Sequence, residues 1–355
     1  MNRLEFHVEG CRVAVVGATG AVGKVFLRIA EERKFPYTAL RLCATERSWG
    51  KRLLVNGQEH IVEPATPELF SQVDIAFISA SGKASREYGP IAVQQGALVI
   101  DDSSTFRMDP NVPLVVPEVN ADDLDGHQGI ISIPNCSTTP LVMVLKPLNH
   151  LNPVRRVVVD TYQSVSGKGS KAVAELLDQT RLLHEGRTVA ANDLPQRIAY
   201  NLFPHIDNFE DTGYTKEEMK MVGETRKILH LPDLPLSATC VRVPVLVGHS
   251  EAVHVEFERP MAVATVREVL SESIGIRVVD NPASALYPMP IEAEGIDDVL
   301  VGRIRKDLSH PNGIALWLSS DNLRKGAALN AIQIAEDVLK RGLLLRQRKA
   351  QSWRR

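Results

Sequence analysis

The sequence predicts an α/β protein in two parts, a parallel-sheet half followed by an α+β half. Three observations carry this. Arg12-Val13-Ala14-Val15-Val16 is a continuous apolar run of the kind found in strands buried on both faces. It enters Gly17-Ala18-Thr19-Gly20-Ala21-Val22-Gly23 and then the helical stretch Lys24 to Arg33, a strand–glycine turn–helix unit. From Val154 onward the pattern changes to long strands broken by polar turns, with helices between them.

The first unit defines a Rossmann-type dinucleotide-binding half. Glycines let the backbone approach a pyrophosphate, and the helix N-terminus favours its charge. The spacing is GxxGxxG rather than GxGxxG, and it draws its meaning from the strand before it and the helix after it. A second strand, Leu40 to Cys43, ends at Thr45-Glu46-Arg47-Ser48. Arginine with hydroxyls suits a ribose 2′-phosphate, so the loop favours NADP over NAD, against the reading of an ordinary solvated loop. Strands Ile75 to Ser79 and Leu98 to Asp101 follow, with a helix beginning near Lys83 between them. Ser81-Gly82 falls at a strand C-terminus, where such folds bind ligands. Arg107 ends a polar loop, where it either clamps an anion or pairs with Asp101 or Asp109.

Composition bounds the rest. The chain has 355 residues, 44% hydrophobic and 24% charged, which is enough for two cores. A formal net charge of −2 argues against a general polyanion binder, so no nucleic-acid partner is expected. The basic tail Arg346 to Arg355 reads as a solvated or frayed end. The first ten residues show no signal-peptide core, and no apolar run approaches membrane-spanning length. A reducing cytoplasm and no membrane partner are the expectations. The 4 cysteines form neither a CxxC pair nor a disulfide framework, and no metal motif is present.

Cys136 lies in Pro134-Asn135-Cys136-Ser137-Thr138-Thr139-Pro140, between the strand-like Ile130 to Ile133 and the helix-like Leu141 to Leu148. Pro134 discourages a helix before it, and Pro140 suits a first turn. Cys136 therefore sits at or near a helix N-terminus, which favours a thiolate and offers N–H groups to an oxyanion. The local pattern equally fits a small core residue.

The second half reads as a long strand, Arg155 to Ser166, then a helix from Ser170 to His184. A helix from Thr215 to Leu229 has capping-box spacing at Thr215 and Glu218. Glu217 and Lys220 share its face, as a site pair or as a surface ion pair. Ala238 to Val245 reads as a strand, Gly248 to Glu251 as a turn carrying His249, and Ala252 to Phe257 as a strand. A helix from Thr265 to Ser273 repeats the capping-box spacing at Thr265 and Glu268. Further strands at Ile276 to Val279, Val299 to Ile304 and Gly313 to Ser319 precede a long final helix, Asn322 to Leu344, expected to return to the first domain.

Taken together, the separated motifs Gly17 to Gly23, Ser103 to Arg107, Pro134 to Thr139, Tyr162 to Gly167, Thr215 to Lys220 and Arg242 to Glu251 resemble those of the aspartate-β-semialdehyde dehydrogenase family, in the same order. The Asn-Cys-Ser-Thr-Thr form looks like its Gram-positive branch. The resemblance runs from about Arg12 to Leu344. It implies NADPH-dependent reductive dephosphorylation of aspartyl-4-phosphate to aspartate-4-semialdehyde through a cysteine thioester, in lysine, threonine and methionine biosynthesis. It implies Cys136 as nucleophile, His249 as acid/base and Gln163 as the orienting amide. Arg242 would bind the substrate α-carboxylate, with Glu217 facing its amino group. Arg107 and Lys220 would grip phosphate, helped by Asn135. Cofactor contacts would come from Gly17, Ala18, Thr19, Gly20, Ala21, Val22, Gly23, Thr45, Arg47, Ser48, Ser81, Gly82, Ser166 and Gly167. Trp49 stands where the family usually has a small residue.

The implied organisation is an NADP-binding domain over 1–136 with 322–345, a catalytic and dimerisation domain over 137–321, and a flexible tail over 346–355, assembled as a homodimer. Related scaffolds offer N-acetylglutamyl-phosphate reductase, against which Asn135 speaks, and malonyl-CoA reductase. A silent nucleotide-binding paralogue would be expected to lose Cys136 or His249.

Overall fold

A computed structural model of the chain describes residues 10–345. The expected flexible tail, 346–355, lies outside the described residues. The fold divides into two compact units, one running to Pro134 and resuming at Ala327, the other Asn135–Gly326. Cys136 and Asn322, expected at the edges of the first domain, both fall in the second unit.

The first unit holds a seven-stranded sheet in the order β3-β4-β2-β1-β5-β6-β7. Its strands are β1 Cys11–Val16, β2 Tyr37–Cys43, β3 Arg52–Val55, β4 Gln58–Glu63, β5 Ile75–Ile78, β6 Leu98–Asp101 and β7 Ile130–Ser132. All pairings are parallel except β3–β4. Chain order reverses at β1, which lies between β2 and β5, and Gly17 follows directly at that switch point.

Alternation along β1 feeds two cores. Val13 and Val15 pack with Phe26 and Ile29 of the Ala21–Glu32 helix and with Ile332, Ala335 and Val338 of the Leu329–Arg341 helix. Ala14 and Val16 face Phe70, Ala76 and Val99 on the other side. Both faces being covered explains why β1 carries no polar alternation. The final helix thus returns to the first unit, as expected. It begins later than the sequence suggested, because Arg324–Ala328 forms a π-helix before it.

The second unit holds a six-stranded mixed sheet in the order β11-β12-β13-β10-β8-β9. These are β8 Val154–Gln163, β9 Leu236–Arg242, β10 His249–Phe257, β11 Ile276–Val278, β12 Val299–Lys306 and β13 Gly313–Ser320. Residues Thr161 and Gln163 of β8, Cys240 and Arg242 of β9, and His249 and Glu251 of β10 share one buried face. The Thr138–Leu151 helix packs against β8 and β13, and the Lys216–Leu229 helix against β9.

Three local expectations change. His249 is the first residue of β10, paired with Ser320, and not part of a turn. β8 ends at Gln163, and Val165–Lys168 is a 3₁₀ turn rather than strand. The helix expected from Thr265 starts at Val263 with Ala262 at its cap, so Thr265 lies inside the first turn and caps nothing.

Candidate active site

The loop carrying Cys136 is built by Asn135. Its Oδ1 accepts the Ser137 N–H at 2.9 Å, and its carbonyl accepts the Thr139 N–H at 3.1 Å. Cys136 thereby stands one residue before the N-cap of the Thr138–Leu151 helix. Pro140 falls in the first turn of that helix, where its missing N–H costs nothing. Glu224 fixes the loop from the side, accepting the Asn135 N–H at 2.6 Å. Cys136 is half-buried, whereas Cys11, Cys43 and Cys240 are buried. Burial pushes the Cys11 and Cys43 thiols up to about 12 and the Cys240 thiol higher still. Cys136 alone of the 4 cysteines keeps partial access to solvent.

Glu217 gathers the other expected residues. Its Oε1 accepts from Asn135 Nδ2 at 2.9 Å and from Gln163 Nε2 at 3.0 Å. Its Oε2 accepts from Lys220 Nζ at 3.0 Å. Glu217 is 6% exposed, so the pair with Lys220 is not a solvated surface contact. Burial alone would raise its pKa, but Lys220 and the two amides outweigh that and hold it down at about 2. Lys220 also reaches Asp207 at 2.8 Å. Gln163 is fixed from behind, its Oε1 accepting from Thr161 Oγ1 at 2.9 Å.

Arg242 and His249 complete the cluster. Arg242 Nη1 donates to the Ser164 carbonyl at 2.7 Å, and the side chain is 4% exposed. Burial lowers the guanidinium pKa, with Glu217 and Cys136 pulling it back up. The backbone N–H of Ser164 donates to His249 Nδ1 at 3.0 Å. A Cβ on Gly167 would stand 3.1 Å from His249 Nε2 and 3.2 Å from Arg242 Nη1. Gly167 therefore keeps open the space these two groups face. Its neighbour Ser166 has its Oγ bonded to Asn322 and Ser164.

The first unit holds the remaining expected residues. Gly17 has φ +96°, and a Cβ there would meet the Ser79 carbonyl at 2.0 Å. A Cβ on Gly23 would meet the Gly17 carbonyl at 2.3 Å. Ala18, Thr19, Ala21 and Val22 complete this turn and the helix start. Gly20 caps the helix without a side chain, so no side-chain acceptor covers the first N–H groups. Thr19 Oγ1 donates to Ser48 Oγ at 3.2 Å, joining the turn to the loop after β2. Thr45 and Arg47 are exposed there, and Trp49 folds back with Nε1 on the Ala44 carbonyl at 2.8 Å. Ser81 caps the Gly82–Gln94 helix through the Ala84 N–H. Arg107 is buried and donates to the Asp102 carbonyl at 2.9 Å. Burial lifts the Asp102 carboxyl to about 6, against the pull of Arg107 and Ser79.

Four residues at the cysteine cluster escaped the sequence reading: Ser164, Glu224, Asn322 and Gly326. Asn322 is 2% exposed, and its Oδ1 accepts the Gly248 N–H at 2.9 Å. Gly326 lies against Cys136. The one available signal was a polar stretch, Asp321 to Lys325, ahead of an apolar helix.

Known proteins match this architecture throughout. Residues 12–127 match the semialdehyde dehydrogenase NAD binding domain, and residues 145–325 the semialdehyde dehydrogenase dimerisation domain. An aspartate-semialdehyde dehydrogenase of Aquifex aeolicus is 51% identical over 339 residues, covering 94% of this chain and 100% of the relative. The crystal structure of Vibrio cholerae aspartate semialdehyde dehydrogenase II complexed with ASA superposes with TM-score 0.90 at 46% identity, covering 93% and 98% of the two chains. That of the Candida albicans enzyme with NADP gives TM-score 0.72 at 26% identity, covering 93% and 98%. With coverage and identity this high, the chain belongs to the aspartate-semialdehyde dehydrogenase family.

Proposed function

We propose that this protein reduces aspartyl-4-phosphate to aspartate-4-semialdehyde and phosphate, with Cys136 as the covalent nucleophile and NADPH as reductant. The observation that carries this reading is the cluster of Asn135, Gln163 and Lys220 on one buried carboxylate, Glu217, beside the half-exposed Cys136.

Cys136 attacks the acyl phosphate and becomes a thioester as phosphate departs. The helix start beside it favours the thiolate and the oxyanion that forms. Arg242 pairs with the substrate α-carboxylate, and Glu217 receives the α-amino group, since it stays ionised. Gln163 holds the acyl group in line, its rotamer locked by Thr161. Lys220 and Arg107 bind the phosphate, assisted by Asn135. His249 governs the reacting oxygen.

The first unit fits the cofactor. Gly17 and Gly23 leave a cradle that any Cβ would fill, the uncapped helix start suits a pyrophosphate, and exposed Thr45 and Arg47 suit a 2′-phosphate. Ser48, Ser81, Gly82, Ser166 and Gly167 are the further contacts. When bound, the nicotinamide supplies the hydride that reduces the thioester.

A homodimer formed through the second unit is part of this reading. On the sheet face opposite the cluster, the rings of Tyr162 and Trp317 lie 5.2 Å apart, tilted at 46°. A groove of about 340 Å³ beside them is lined by Ala252, Tyr287, Arg303 and Trp317. The matched dimerisation domain covers this sheet. Among the described residues no helix is long and apolar enough to cross a membrane. A cytoplasmic site of action completes the proposal.

The test is NADP reduction with aspartate semialdehyde and phosphate or arsenate. Turnover that is lost in Cys136→Ala supports the assignment. A folded preparation without turnover, or a Cys136→Ala variant at full rate, overturns it.

A further inference from the structure

The Lys216–Leu229 helix turns one buried stripe toward the cysteine loop. Glu217, Met221 and Glu224 follow one another at spacings of four and three, the steps that keep side chains on one helix face. They are 6%, 0% and 1% exposed. All three meet the segment around Cys136. Glu217 accepts from Asn135 Nδ2 at 2.9 Å, Thr138 Oγ1 donates to Met221 Sδ at 3.7 Å, and Glu224 Oε2 accepts the Asn135 backbone N–H at 2.6 Å.

Glu224 is the polar member of this stripe that the proposed chemistry leaves unused. A helix face turned to the core calls for an apolar side chain there. A buried carboxyl is unfavourable unless it is hydrogen-bonded. This one accepts from the peptide N–H of the residue that precedes the nucleophile. The remaining polar atoms of Asn135 are bonded as well. Its carbonyl accepts from the Thr139 N–H at 3.1 Å and from Thr139 Oγ1 at 3.3 Å, and its Oδ1 accepts from the Ser137 N–H at 2.9 Å.

These bonds do different work. Those to Ser137 and Thr139 stay within the loop and the helix it begins, so they would move with it. Those to Glu217 and Glu224 reach 82 and 89 residues along the chain and fix the loop against a separate element. The Glu217 contact is made through the Asn135 side chain, which can rotate. The Glu224 contact holds the main chain, and with it the peptide that leads into Cys136.

We propose that Glu224 is a positioning residue for the nucleophile, anchoring the Asn135 peptide to the helix whose Glu217 and Lys220 receive the substrate. One rigid element then sets the spacing between the bound substrate and the Cys136 sulfur. The proposal rests on the reading of Cys136 as nucleophile. Glu224 itself touches no reacting atom. Its loss leaves the substrate-binding side chains in place and loosens the approach of the sulfur, so the penalty falls on kcat and spares KM.

The test compares two substitutions in the full chain. Glu224→Met removes the acceptor at similar volume, and Glu224→Gln keeps an acceptor oxygen. Glu224→Met is expected to lower kcat by about 10- to 100-fold, with KM for aspartate semialdehyde and for phosphate within about twofold of wild type. Exchange of the Asn135 amide hydrogen, slow in wild type, should quicken by about tenfold or more in Glu224→Met. Glu224→Gln should restore both, with kcat within about threefold of wild type. Full kcat in Glu224→Met, a loss carried by KM, or Glu224→Gln as impaired as Glu224→Met overturns the proposal. Were Glu224→Met not to fold, Glu224→Gln and wild type decide: a wild-type Asn135 amide that exchanges as fast as open loop, or Glu224→Gln with kcat lowered tenfold or more, is equally fatal. Wild-type enzyme without activity on aspartate semialdehyde would instead remove the reading beneath the proposal, a failure that the exchange result does not share.

Discussion

A Cβ built on Gly326 would stand 2.9 Å from the Cβ of Cys136 and 3.2 Å from its Cα and carbonyl oxygen. Backbone lies on the Cys136 side of that contact, so a larger residue moves the nucleophile's main chain and not merely a rotamer. Gly326 sits in the π-helix Arg324–Ala328, an irregularity that brings the chain this close. Gly326→Ala should cut kcat by about 10- to 100-fold while leaving the fold intact, because displacement of a reacting group by a fraction of an ångström is costly. Alkylation of Cys136 by iodoacetamide should slow in parallel. Unchanged kcat would mean that the cysteine loop yields freely.

Glu217 ties acid stability to the cluster. Its pKa falls from 4.5 to about 2, with burial opposing and Lys220, Gln163 and Asn135 prevailing. Its contribution is therefore present above about pH 4.5 and fades as pH drops toward 2. Glu217→Gln should cost on the order of 2 kcal/mol near neutrality, and the gap to wild type should shrink below about pH 4.5. Urea unfolding of both proteins across that range measures this. A gap independent of pH would contradict the assignment.

Glu251 has the opposite sign. It is 1% exposed, both carboxyl oxygens lack a partner among the described residues, and burial raises its pKa well above 4.5. The folded chain keeps the proton that the unfolded chain releases, so wild type loses stability as pH rises from about 4.5 toward the raised folded pKa. Glu251→Gln should match wild type below that pH and exceed it by about 1–3 kcal/mol at neutrality. Melting curves at several pH values decide, and a variant that is less stable throughout would refute the account.

Arg47 is exposed beside Thr45 and close to the glycine turn that Thr19 joins through Ser48. Arg47→Ala should reduce kcat/KM for NADPH by about tenfold and leave that for NADH nearly unchanged, since one charge-assisted contact is removed. Equal losses with both cofactors would show that the loop supports the fold and does not read the 2′-phosphate.

Much of this was legible because local patterns and long-range packing agree. The Thr215–Glu218 spacing is a genuine capping box, with both reciprocal bonds formed. The same spacing at Thr265 and Glu268 is not, because the helix starts two residues earlier and spacing alone carries no start position. The β3–β4 hairpin escaped notice although Asn56-Gly57 marks it; both residues have positive φ, 50° and 72°, as its tight turn requires. His249 read as turn because Gly248 does turn, with φ +92°, yet pairing with Ser320 draws the next residue into β10. Asn322 to Gly326 read as helix because the apolar pattern behind them is strong. What fixes them is distant in sequence: Arg324 pairs with Asp297, and Asn322 reaches Ser164 and Gly248. One-dimensional spacing cannot display such partners.

The proposed chemistry stands or falls with Cys136 carrying the acyl group. Intact and peptide mass spectrometry after mixing enzyme, NADP and aspartate semialdehyde without phosphate tests it most directly. An acyl adduct is expected on the peptide containing Cys136, discharged by added phosphate and absent in Cys136→Ala. An adduct on another residue, or reduction of NADP with no adduct and no loss in Cys136→Ala, would contradict it.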